Sequence, residues 1–81
     1  MKIVWDEIKR RQNLAKHGLD FADLELDFFL GARIETASFG RLKAVSRFDG
    51  VMLAIVFKPL GSEAFSIVSM RVASRKERRH K

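Results

Sequence analysis

The chain has no cysteine among its 81 residues. That excludes a disulfide framework and thiolate chemistry, and it suits a reducing compartment. No apolar run approaches the ~18 residues of a membrane span, and the N-terminus lacks the apolar core of a signal peptide. A cytoplasmic protein with no membrane association is expected. With only two histidines and scattered acids, no ligand spacing for a metal is present, so neither a metal site nor a cofactor is expected. There is no internal repeat, linker or low-complexity segment. Residues 1–81 read as a single domain, small enough that only about 60–65% of its unfolded surface is buried.

What is present in excess is positive charge, a net +6 unevenly placed. From Arg71 to Lys81, six Lys/Arg face the single acid Glu77, giving +5. From Asp20 to Glu35, five acids face Arg33, giving −4. Such asymmetry points to a polyanion or an acidic partner at the basic end, against the alternative of a solvated tail.

The pattern predicts a β-α-α-β-β-β-β-α domain of the α+β class. Lys2 to Trp5 is a β-prone run. Asp6 caps a first helix that ends near Ala15 to His17, where Gly18 supplies the left-handed stop. This helix is polar, and Lys9, Asn13 and His17 lie four apart on one face. The face is either solvated or turned to a ligand. Asp20 caps a second helix, Phe21 to Leu30, with a broad apolar face and three aspartates opposite. Its acidity argues against a helix-turn-helix DNA reader. Arg33 to Phe39 reads as an edge strand, Gly40 and Arg41 as a turn, and Leu42 to Phe48 as an alternating strand. Asp49-Gly50 is a favoured two-residue hairpin turn. Val51 to Phe57 is an unbroken apolar run, the mark of a central strand, closed by Pro59 and Gly61. Ala64 to Met70 follows, in a mainly antiparallel sheet carrying both leading helices on one face. Ser74 and Glu77 form a capping-box pattern that opens a short last helix.

Two motifs resemble those of BrnT toxins. Trp5-Asp6-Glu7-Ile8-Lys9 with Asn13-Leu14-Ala15-Lys16-His17-Gly18-Leu19-Asp20-Phe21 resembles the N-terminal signature of the family. Ile67-Val68-Ser69-Met70-Arg71-Val72-Ala73 with Glu77-Arg78 is similar to its C-terminal one. The resemblance implies a RelE-like fold and a ribonuclease toxin of a type II toxin–antitoxin system that arrests translation. It also implies a BrnA-like antitoxin, a ribbon-helix-helix protein through which alone operator DNA is bound. Two positions depart from the pattern. Ser66 stands where an arginine is usual and Phe57 where a tyrosine is frequent. Both changes remove groups able to contact RNA, so a catalytically weakened, binding-only member is the alternative to an endoribonuclease.

Metal-independent RNA cleavage needs a base, an acid and positive charge beside the phosphate. Arg71 and Arg75 suit the last task, because a guanidinium forks onto phosphate oxygens. Glu77 is either a base or only the helix cap. His17 is either an acid–base group or a partner of a helix-end carbonyl. These four are the candidate catalytic residues; Lys9, Asn13, Ser69, Arg78 and Arg79 are the candidate RNA contacts.

Overall fold

Local signals set most of the elements. In the computed structural model, which describes residues 1–79, β1 spans Lys2–Trp5 and α1 Glu7–His17; a 3-10 turn, Phe21–Asp23, precedes α2, Leu26–Leu30. Four strands follow, β2 (Arg33–Thr36), β3 (Leu42–Phe48), β4 (Val51–Leu60) and β5 (Ala64–Val72), and α3 (Arg75–Arg78) closes the order. His80 and Lys81, the end of the basic tail, lie outside the described residues. The Asp6 carboxylate accepts from the Ile8 and Lys9 N–H groups, and Gly18 ends α1 at φ 71°. No helix among the described residues is long and apolar enough to cross a membrane.

The five strands form one sheet in the order β1-β5-β4-β3-β2. β2 to β5 are antiparallel neighbours, whereas β1 pairs with β5 in parallel. As the unbroken apolar run predicts, β4 is central, with Leu53, Ala54 and Ile55 all buried. The strand continues through Pro59, which pairs with Phe65. Pairing with β3 ends at Leu42 opposite Phe57, so one side of β4 is open at the proline and its missing N–H is tolerated.

Two expected boundaries moved. The helix predicted over Phe21 to Leu30 is interrupted, with Leu24 and Glu25 extended. Phe and Asp are weak helix formers and ten residues are marginal alone, so packing prevails. The break buries Phe21, Leu24, Phe28 and Phe29 together. β2 stops at Thr36, and Ser38–Gly40 forms a tight turn in its place.

The main core joins those four residues to Ala44, Leu53, Ile55, Phe57, Ile67 and Met70 on one face of the sheet. Phe29, Phe57 and Phe65 pack with ring centroids 4.7–5.1 Å apart. Each such ring contributes about 1.5–3 kcal/mol by burial. The opposite face carries a small cluster of Val45, Ala54 and Ala73.

Helix α1 is held differently. Asn13 is its only buried residue, while Ile8 and Leu14 stay exposed. The β1–β5 pairing ends at Trp5 opposite Ile67. Beyond that point the Asn13 side chain takes the place of a strand. Its Oδ1 accepts from the Met70 N–H at 3.1 Å, and its Nδ2 donates to the Met70 carbonyl at 2.8 Å and to the Leu19 carbonyl at 3.1 Å. Two of these bonds satisfy β5 groups that would otherwise be orphaned and the third a loop carbonyl, at about 1–3 kcal/mol each.

Candidate active site

The strand–helix junction at the end of β5 is built around one carboxylate. Glu77 is 7% exposed. Its Oε1 accepts from Arg71 Nη1 at 2.8 Å and from the Ser74 N–H at 2.8 Å. Its Oε2 accepts from Arg71 Nη2 at 2.8 Å and from Lys43 Nζ at 2.7 Å. The Glu77 N–H in turn donates to Ser74 Oγ, which completes the capping box. Arg33 donates to the Glu77 carbonyl at 3.1 Å and pairs with Glu35 at 2.7 Å, to which Lys43 also reaches at 3.5 Å. Hydrogen bonds from Arg71, then Lys43 and the Ser74 N–H, outweigh burial and hold the Glu77 carboxyl far below the usual carboxylate range.

Arg71 is about one-third exposed. Glu77 occupies its Nη1–Nη2 edge, and Nη1 also reaches the Val72 carbonyl at 3.4 Å. A guanidinium has five donors in a rigid fork. Among the described residues Nε makes no hydrogen bond, so the Nε–Nη2 edge of the fork is not closed by a protein acceptor. The Glu77 hydrogen bonds raise the Arg71 pKa still further.

Beside β5 lies an open groove lined by Lys9, Gln12, Asn13, Lys16, His17, Val68 and Ser69. A β-bulge shapes it. The pairing shifts between Val56 opposite Ser69 and Phe57 opposite Ile67, leaving Val68 as the extra residue. Bulges turn side chains and recur beside functional sites. Ser69 lines the groove, and Arg71, two residues on, emerges on the same side of the strand. The groove cations and the Glu77–Arg71 corner are thus joined along one strand edge.

Of the predicted residues, Lys9, His17 and Ser69 come together in this groove. Asn13 also lines it, but its amide is committed to the backbone bonds described above. Arg71 and Glu77 form the junction. Arg75 and Arg79 are exposed on and just after α3. Arg78 turns back to the Ala73 carbonyl at 3.2 Å and lines a separate depression with Arg47, Met52 and Val72. Lys43 and Lys16 were missed. The alternation of β3 puts Lys43 on the face opposite Leu42 and Ala44, a signal that pointed to it.

The two departures differ in their consequences. Phe57 is 2% exposed, deep in the aromatic core, so its side chain is no part of the groove or the junction. Ser66 is half-buried and sits across the strand pair from Lys58, so a cation remains beside that position.

The comparisons with known proteins agree with this fold. The family model described as "Ribonuclease toxin, BrnT, of type II toxin-antitoxin system" matches residues 5–77. A 1.1 Å crystal structure of the Brucella abortus ribonuclease toxin, BrnT, is similar at 55% identity and a TM-score of 0.87, covering 93% of this chain and 99% of that one. Among curated proteins no sequence match is found. The matched span takes in α1, the whole sheet from β2 onward and the Glu77 junction, and on that ground the chain belongs to the BrnT family of ribonuclease toxins of type II toxin–antitoxin systems.

Proposed function

We propose that this chain is a metal-independent endoribonuclease that arrests translation by cutting RNA, and that its site is the strip from the α1 groove to Arg71. The observation that carries the reading is a guanidinium clamped by Glu77 with one fork left open, beside a groove holding two lysines and a histidine. In the reaction the ribose 2′-oxygen bonds to phosphorus as the P–O5′ bond breaks. The 2′-proton leaves to a base and the 5′-oxygen takes up a proton. His17 is the proton carrier. Arg71 offsets the charge gathering on the phosphoryl oxygens. Lys9, Lys16 and the Ser69 hydroxyl hold the flanking strand, and exposed Arg75 and Arg79 extend the cationic track. Glu77 has no free lone pair aimed at solvent and an acidic carboxyl, so its part is to aim Arg71. These groups supply the charge and the proton carrier, and the reading needs no metal. Purified protein should cut single-stranded RNA at the same rate with and without EDTA. Loss of cutting in EDTA, or none in either buffer, overturns the reading. Ser66 favours a second reading, a binding-only member, and the same assay decides between them.

A toxin of this class works with an antitoxin. We assign the partner as a BrnA-like ribbon-helix-helix protein that alone contacts operator DNA, and the cytoplasm, where RNA is met, as the place of action, which cell fractionation checks. The simplest means of silencing is for acidic antitoxin side chains to cover the basic corner. In the complex, Arg71 and Arg75 should be shielded from solvent. A structure of the pair with both arginines open would replace occlusion with an indirect mechanism.

A further inference from the structure

We propose that Phe39 is a stacking platform for a base of the RNA strand, an inference that rests on the RNA substrate proposed above. Phe39 is the most exposed large apolar side chain of the described residues, at 87%. It occupies the Ser38–Gly40 turn between β2 and β3 with φ 63° and ψ 39°. Bulky side chains rarely adopt that left-handed conformation, and where they do the strain tends to serve a function. Gly40, which follows, is also left-handed at φ 73°. Glycine or asparagine would make the turn with less strain, and the ring packs into neither core cluster. The fold therefore gives no reason for an aromatic here.

The surroundings fit a nucleic-acid strand. The Arg41 guanidinium lies over one face of the ring, its central carbon 5.9 Å from the centroid, and the other face is open. Arginine on one side of an aromatic and a base on the other is the chemistry by which single strands are held, with the cation near the phosphates. From Ala37 to Phe48 the chain carries Arg41, Lys43 and Arg47 and no acid. The same hairpin reaches the active-site junction, since Lys43 bonds Glu77 and lies in the row Lys43–Val56–Ser69 across the sheet. A strand engaging Ser69 and Arg71 would pass Lys43, itself paired with Glu77 and Glu35, before reaching Arg41 and the ring.

The test uses Phe39→Gly, which removes the ring and relieves the backbone, Phe39→Leu, which keeps apolar bulk, and Phe39→Trp, which keeps a stacking face. The probes are a single-stranded 2′-O-methyl oligonucleotide, which cannot be cut, and the cognate antitoxin. The glycine and leucine variants should bind the oligonucleotide about 5- to 100-fold more weakly, the tryptophan variant at least as tightly as the parent. Antitoxin affinity should hold, and the melting midpoint should not fall. Placing one abasic site along the oligonucleotide should identify a position at which the glycine substitution no longer matters. Unchanged oligonucleotide affinity overturns the platform. If antitoxin affinity falls instead, the ring belongs to a protein contact. Parent protein that binds the oligonucleotide through Phe39 but cuts no RNA would refute the endoribonuclease reading and leave the platform standing. Parent protein that does not bind the oligonucleotide refutes the platform.

Discussion

Arg71→Ala should slow RNA cleavage by about 10²–10³, the usual cost of removing one preorganised donor from a developing oxyanion. The Nε–Nη2 edge of Arg71 is already aimed, because Glu77 holds the opposite edge with two 2.8 Å bonds. No reorganisation is then needed as charge builds on the phosphate. Arg71→Lys should recover only part of the rate, since a point charge replaces the fork. The substitution also takes one partner from Glu77, so a stability loss of about 1–3 kcal/mol is expected, with Lys43 and the Ser74 N–H still in place. Cleavage is therefore measured well below each variant's melting midpoint, with RNA affinity and growth arrest on the same proteins. Full cleavage by Arg71→Ala would end its role in the reaction. Lost activity that tracks lost structure would make it a brace of the junction.

Glu77→Ala should cost about 3–5 kcal/mol of stability, the range for breaking a buried ion pair from one side. It strands the Arg71 charge on a half-buried surface, leaves Lys43 only its 3.5 Å contact with Glu35, and removes the carboxylate half of the α3 capping box. For a domain of this size the melting midpoint should fall by more than about 10 °C. Acid sensitivity gives an independent check. The folded carboxyl titrates well below its ordinary value of 4.5. In acid the unfolded chain takes up a proton that the folded chain resists. This contribution is complete above pH 4.5 and is lost as pH falls toward the folded value. Glu77→Gln should lack that part of the acid response. A glutamine variant with parental stability and acid response but no cleavage would return Glu77 to the role of a base.

Much of the fold was legible because its signals are local. The Asp6 cap and Gly18 stop bound α1 as predicted. Ser74 and Glu77 opened α3, and the seven apolar residues from Val51 marked the central strand. Each depends on residues within a few positions of one another, where chain geometry leaves few alternatives. The basic end and the motif residues Lys9, His17, Ser69 and Arg71 were likewise evident as candidates. The interrupted second helix was not, because helical spacing alone does not report that packing of Phe21, Leu24, Phe28 and Phe29 outweighs ten residues of weak helical preference.

What the tertiary structure decided is what each polar side chain does. Asn13, Lys9 and His17 share one helix face, and spacing treats them alike. Only the fold sets the Asn13 amide against Met70, 57 positions away, and so makes it a substitute strand. Glu77 was readable as a cap, but its bonds to Lys43 and Arg33 span 34 and 44 positions, separations over which no local rule operates. Phe57 counted as a missing contact in the sequence and proved to be core, because sheet alternation fixes a face only once it is known which face is covered. The sequence by itself determined most of the elements and the residue types available. Long-range packing decided which of those residues are consumed in holding the chain together and which remain for a ligand.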